Sequence, residues 1–344
     1  MKVKKDYFHR AEEYRRKTEY EKAVESYMKA LKACKKDSDI PCILDCQLSL
    51  GDTFRAKGDF SAAEARYSEG LSLAEAVNDR FAQADAMVGL GLSLRALGNW
   101  PEAFSMINSA NTLYRSLKDR KGEAFSQWAR AGTFRIKGDI PRAIKMYSLS
   151  LEIFRALKDR SGMAYSYCGL GGSSRVGGRF KDSEKYYKMA NRMFGRLNDR
   201  FGLAYSFCGL GNARRMHNDY RSALAYFKKA ERLYKKIGDR VSYAYTLWSE
   251  GTTYKMLGQS SRARESFQSA EELFRLTKDP RGKIYCILGM GETDYLDGNM
   301  TAAKKAFGEA FRLADSYEFK VEKRYSGMLM NAFAHGKGFP FNLP

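Results

Sequence analysis

DRFGLAYSFCGLGNARRMHNDYRSALAYFKKAERLYKKIGDR, residues 199–240, decides the fold. Asp199 can accept backbone N–H bonds at the start of a helix. From Arg200 to His217 small or apolar side chains then fall at helical spacing: Leu203, Ala204, Phe207, Leu210 and Gly211. Asn218-Asp219 interrupts this pattern and a second one runs from about Tyr220 to Ile237. It carries Ala223, Phe227, Ala230 and Tyr234 on one face, with Lys228, Lys229, Arg232 and Lys236 largely on the other. Gly238-Asp239 closes the unit, glycine supplying a left-handed C-cap and aspartate the next N-cap.

The unit repeats along the chain. Asp-Arg stands at 79–80, 119–120, 159–160, 199–200 and 239–240, and Asp279 continues the series, a period of 40 residues without slippage. Ala84, Ala124, Ala164, Ala204 and Ala244 form a column, as do Gly51, Gly91, Gly171, Gly211, Gly251 and Gly291. Glycine inside a helix costs roughly 0.5–1 kcal/mol relative to alanine. Such columns therefore mark places where two helices approach closely. Helix pairs repeating without any strand pattern predict an all-α fold, an α-solenoid in which each pair buries its apolar face against its neighbours.

The small-residue columns, with Leu-Gly at 170–171 and 210–211 and with Ala223, Phe227 and Ala230, resemble the tetratricopeptide repeat over nearly the whole chain. The common repeat is about 34 residues long, so the helices here are longer by about 1.5 turns in total. The 40-residue form with Gly238-Asp239-Arg240 between units is similar to spindle-orientation scaffolds that regulate heterotrimeric G proteins, and to many bacterial tetratricopeptide proteins. The Gα-binding motifs of those scaffolds are absent. The resemblance implies a right-handed superhelical α-solenoid of about eight helix-turn-helix units. Unit boundaries are expected near residues 39, 79, 119, 159, 199, 239, 279 and 316, with a capping helix over about 318–335. Residues 1–335 would form one superhelix and 336–344 an extended tail. It also implies an inner groove that holds an extended segment of another protein.

Composition excludes several classes. The 344 residues are 44% hydrophobic and 13% aromatic, enough for a sizeable core and too apolar for intrinsic disorder. No run of about 18 apolar residues is present, so no membrane span is expected. The charged N-terminus shows no secretory signal, and six cysteines make no disulfide scaffold. Together these favour reduced thiols and a cytoplasmic setting.

The formal charge is +20, and windows 121–160, 161–200 and 201–240 carry +5, +5 and +6 of it. On each first helix, positions i, i+3, i+7 and i+10 form one stripe, and the resemblance places that stripe on the concave side. Reading it unit by unit gives a cationic ladder (Arg55, Arg95, Arg135, Arg175, Arg215, Lys255) and an aromatic one (Phe125, Tyr165, Tyr205, Tyr245, Tyr285). Trp128, Asn212 and Trp248 lie between the rungs. Arginine forks hold carboxylates bidentately, and tyrosines add apolar area with a polar tip. The expected partner is another protein, entering through an extended acidic segment or an acidic helix, with this chain as a monomer in a hetero-complex. The competing reading has the tyrosines packing on the facing helix and the arginines solvated at helix ends.

A basic, aromatic groove also suits single-stranded nucleic acid, although Asp45, Asp52, Asp85 and Glu292 on the same stripe would repel a long phosphate backbone. A peptide-gated regulator is a third reading, weakened because no effector domain such as a helix-turn-helix is visible. Catalysis is not indicated: His9, His217 and His335 are scattered, and no cofactor is expected. The Asp-Arg dipeptides read as caps with interrepeat ion pairs, and Gly169-Leu-Gly-Gly172 lacks the context of a phosphate loop. Cys168 and Cys208 read as small groove or packing residues. Cys34, Cys42 and Cys46 read as buried free thiols, a metal being disfavoured without Cys-x-x-Cys spacing. The tail Gly336-Lys-Gly-Phe-Pro-Phe-Asn-Leu-Pro344 leaves three readings open: an unpacked end, a segment folded back on the last helices, or a docking peptide.

Overall fold

Every regular element among the described residues is a helix, as the 40-residue periodicity requires. The structure, a computed structural model, describes residues 2–336 and 338–343, so Met1, Lys337 and Pro344 of the predicted first unit and tail lie outside the described residues. The chain divides into two compact units, Met1–Arg130 with Lys236–Asp239, and Ala131–Lys235 with Arg240–Pro344. The first holds α1 (Lys2–Arg16), α2 (Tyr20–Lys36), α3 (Ile40–Lys57), α4 (Phe60–Ala76), α5 (Arg80–Ala96), α6 (Trp100–Ser116) and the start of α7 (Arg120–Lys137). The second holds the rest of α7, then α8 (Ile140–Ala156), α9 (Arg160–Val176), α10 (Phe180–Leu197), α11 (Arg200–Met216) and most of α12 (Tyr220–Ile237). It continues with α13 (Arg240–Met256), α14 (Ser260–Thr277), α15 (Pro280–Leu296), α16 (Met300–Ser316) and α17 (Lys320–His335).

Consecutive helices pack as hairpins, α5 on α6, α9 on α10, α13 on α14. The odd-numbered helices also touch one another, α3 with α5 in the first unit and α9 with α11, α11 with α13, α13 with α15 in the second. Each unit thus has a row of first helices backed by a row of second helices.

The corners follow from local chemistry. Asp39, Asp79, Asp119, Asp159, Asp199 and Asp279 each accept the backbone N–H three residues on, satisfying an orphan donor of the next helix. The residue before the cap is left-handed: Asn78, Lys118, Lys158, Asn198 and Lys278 have φ between 51° and 58°, and Gly238 has 79°. Capping at Asp-Arg is therefore as expected, but the interrepeat bond is made differently. The second carboxylate oxygen of Asp199 accepts the Tyr165 hydroxyl at 2.9 Å, and that of Asp279 accepts Tyr245 at 2.9 Å, whereas Arg120 pairs with Glu123 inside its own helix. At these two corners a tyrosine bridges the repeats, because it projects from the preceding first helix straight at the next corner.

Glycines in the first helices seat aromatic rings from the second. A Cβ on Gly209 would lie 2.1 Å from the Tyr187 ring, and one on Gly202 2.1 Å from Phe194. Tyr187, Phe194, Phe227, Phe267 and Phe307 are all buried in such contacts.

One expectation fails. Cys34 and Cys42, read as free reduced thiols, are joined in a disulfide with Cα atoms 5.8 Å apart. The short α2–α3 corner brings the end of one helix beside the start of the next, and this juxtaposition overrides the compositional argument. Cys46 stays free and buried, its sulfur within 4.8 Å of both.

Candidate peptide-binding site

Because first helices stack one beside the next, side chains at equivalent stripe positions come into register within each unit. The thirteen residues singled out in sequence divide between the units, Arg95, Phe125 and Trp128 in the first and the other ten in the second. In the first unit the arginines are tied internally. Arg55 donates to Asp52 at 3.3 Å and to the Tyr67 hydroxyl at 3.5 Å, and Arg95 donates to the Ala129 carbonyl at 3.0 Å. Phe125, 36% exposed, stacks on Trp128 with ring centres 5.9 Å apart.

In the second unit the aromatic ladder does double duty. The rings of Tyr165 and Tyr245 meet Phe194 and Phe274 edge-on at 4.8 and 4.7 Å, while their hydroxyls reach the next cap. Trp248 stacks on Tyr285 and donates to its carbonyl at 2.9 Å, and the Tyr285 hydroxyl donates to Glu322 at 2.9 Å. Asn212 donates to Ser249 at 3.2 Å, and Lys255 forms a fully buried ion pair with Glu292. Tyr205 stacks on Phe201. Burial lowers the Lys255 ammonium, and Glu292 holds it up in part.

Two cations are not tied in this way. Arg135 reaches α9, its Nη1 only 2.6 Å from where a Cβ on Gly172 would be, and its buried Nε has no hydrogen-bond partner. Arg175 has both Nε and Nη1 buried without a partner. Orphaned guanidinium donors cost free energy until an acceptor reaches them.

Arg215 is the next rung and is fully buried. Its partners are all neutral oxygens. Asn212 Oδ1 lies 3.1 Å from Nη2, the Leu343 carbonyl 2.9 Å from Nη2, and Asn342 Oδ1 accepts from Nη1. Its guanidinium stands over Trp248 at 5.7 Å. Burial, with Arg175 adding a like charge, pulls the group down to about 9. Of the three readings of the tail, folding back is what the described residues 338–343 show. Lys255 donates to the Phe341 carbonyl at 2.5 Å, Tyr325 to the Pro340 carbonyl at 3.3 Å, and Tyr295 packs against Phe339 and Phe341 at 4.0 and 5.6 Å.

In the sequence Glu292 signals only a charge that would repel phosphate, and no local pattern marks Tyr325, which donates to Glu292 at 2.5 Å. The Phe-Pro-Phe run was the available signal for the tail. Nothing in the period points from it to Arg215, 127 residues away.

This hairpin-repeat architecture with a stacked row of first helices defines an all-helical solenoid. The chain belongs to the tetratricopeptide repeat family, whose models match residues 7–37, 82–156 and 162–236. Comparison with curated proteins returns no match. Among solved structures, the chain is similar to a Rap protein complexed with Competence and Sporulation Factor, at 12% identity over 98% of this chain and 99% of that one, TM-score 0.64. It is also similar to NprR in complex with its cognate peptide NprX, at 16% identity over 92% and 99%, TM-score 0.61. The apo form of RapI matches at 16% identity over 82% and 98%, TM-score 0.58. At these identities the likeness is one of fold. No helix of the described residues is long and apolar enough to cross a membrane.

Proposed function

We propose that this chain is a noncatalytic scaffold that binds an extended, acidic segment of a partner protein along the first helices of its second unit. The observation that supports this best is the pair Arg135 and Arg175, whose buried N–H donors lack acceptors. A carboxylate laid across them would supply those acceptors in a low-dielectric setting, where charge-assisted bonds are strongest. The aromatic rungs Tyr165 and Tyr205 flank the cations, and the stretch from Arg135 to Lys255 offers one rung roughly every 8–10 Å, matched by about every third residue of an extended chain. Two proteins of the same fold are solved with a peptide or factor bound, which agrees with a peptide as the ligand class. The partner's chemistry, a hetero-complex with one copy of this chain, and a cytoplasmic setting belong to the same proposal.

The test is binding of a fluorescent poly-glutamate-rich peptide by anisotropy at low and physiological salt, comparing the intact chain with Arg135→Glu/Arg175→Glu. At least a tenfold loss is expected, and Arg135→Gln/Arg175→Gln, which removes both charges without burying carboxylates, is expected to lose affinity as well while holding the melting temperature. Equal affinity for both chains would remove the proposal. An oligonucleotide arm bearing equal charge is expected to bind more weakly than the peptide.

A further inference from the structure

Residues 338–343 lie on the same rungs that the proposed function assigns to a partner. They leave α17 through Gly336 and Gly338, both at positive φ (67° and 80°), which permits the sharp reversal. The segment then crosses three first helices in turn. Phe339 and Phe341 stack on each other at 5.0 Å and cover Tyr295 of α15, the Phe341 carbonyl takes Lys255 of α13, and Asn342 and Leu343 take Arg215 of α11. Leu343 is only 3% exposed. Five residues of extended chain span about 16 Å, which matches two helix spacings.

We propose that residues 339–343 are a tethered stand-in for the peptide ligand, and that the Arg215–Lys255 stretch takes extended peptides with an aromatic-Pro-aromatic core followed by a carboxylate side chain. The proposal rests on the peptide-binding reading and names its ligand class. Recognition of the core runs through main-chain carbonyls, to which Lys255, Tyr325 and Arg215 donate whatever the sequence, and through the two phenylalanines. Selectivity comes at the next position. Arg215 is a buried cation surrounded by neutral acceptors only, and the Asn342 amide sits where a carboxylate would complete an ion pair in place of a bond from a cation to a neutral oxygen. The stand-in is thus matched in shape and undermatched in charge. An acidic ligand displaces it, while the stand-in keeps weaker peptides out.

Labelled peptides of sequence 336–344, the same peptide with Asn342→Asp, and a scrambled control are titrated into the intact chain and into a chain lacking 336–344. The shortened chain is expected to bind the 336–344 peptide at least tenfold more tightly than the intact chain does, and the Asn342→Asp peptide about tenfold more tightly again. Arg215→Ala in the shortened chain should erase that second preference. Should removal of the segment cost helicity, Phe341→Ala/Leu343→Ala in the intact chain opens the same rungs, and the same tenfold gain is expected there. Failure to distinguish the peptide from its scrambled control, or equal binding by open and intact chains, overturns the proposal. If the glutamate-rich peptide still binds through Arg135 and Arg175 in that event, the groove reading stands and only the stand-in falls. Loss of both removes both.

Discussion

Glu250 and Arg215 are charges taken out of water, and they are handled oppositely. Arg215 is wrapped in carbonyl oxygens, whereas Glu250 on α13 is buried with Oε1 unpartnered. Burial first, and the charge of Glu231 second, push the Glu250 carboxyl up to about 7 from its ordinary 4.5. The folded chain therefore holds this proton longer than the unfolded chain does. Its contribution to stability is full below about pH 4.5 and is lost as pH rises through about 7. Glu250→Gln is expected to raise stability at pH 8 by on the order of 2 kcal/mol and to change little at pH 4.5, measured by urea unfolding at both pH values. A larger gain at pH 4.5 would contradict the assignment. The stripe positions were legible in sequence, since Arg135, Arg175 and Arg215 do occupy equivalent rungs. Which of them already has a partner was not legible, because Lys255 meets Glu292 and Tyr245 meets Asp279 through helix crossings that no local pattern encodes.

Elements were the most readable level. The expected second helix at about Tyr220 to Ile237 is α12, and the expected first helix ends one residue early at Met216. Glycine predicts the left-handed corners, yet Lys118, Lys158 and Asn198 adopt them as well, since the following aspartate cap fixes the turn. The glycine columns were read as close approaches in general. Their particular purpose, to seat an aromatic ring, needed the structure. Two substitutions separate these roles. Gly209→Ala drives a methyl into Tyr187 and is expected to destabilise by about 1–3 kcal/mol. Gly195→Ala in α10 meets open space and is expected to stabilise by up to about 1 kcal/mol through helix propensity. Thermal melts of the two variants should move in opposite directions, and movement in the same direction would sink the seat argument. The disulfide Cys34–Cys42 is the element-level feature that composition misjudged.

Across the whole molecule the +20 charge now has a different meaning. Much of the excess in 121–240 lies on exposed outer faces, as Lys181, Lys185, Lys188, Arg192 and Arg196 of α10 and Arg221, Lys228, Lys229 and Arg232 of α12. Such solvated charges are screened within about 10 Å at ordinary salt. On the proposed function they would aid encounter with an acidic partner more than hold it. Replacing Lys181, Lys185, Lys228 and Lys229 by Gln is expected to slow peptide association two- to tenfold at low salt and to leave the dissociation rate unchanged, by stopped-flow. The proposed function makes holding depend on the orphaned rungs instead. Its most direct measurement is the dissociation rate of the glutamate-rich peptide from the intact chain, from the four-lysine variant and from Arg135→Glu/Arg175→Glu. Dissociation is expected to accelerate at least tenfold only in the last, and acceleration in the lysine variant with none in the arginine variant would contradict it.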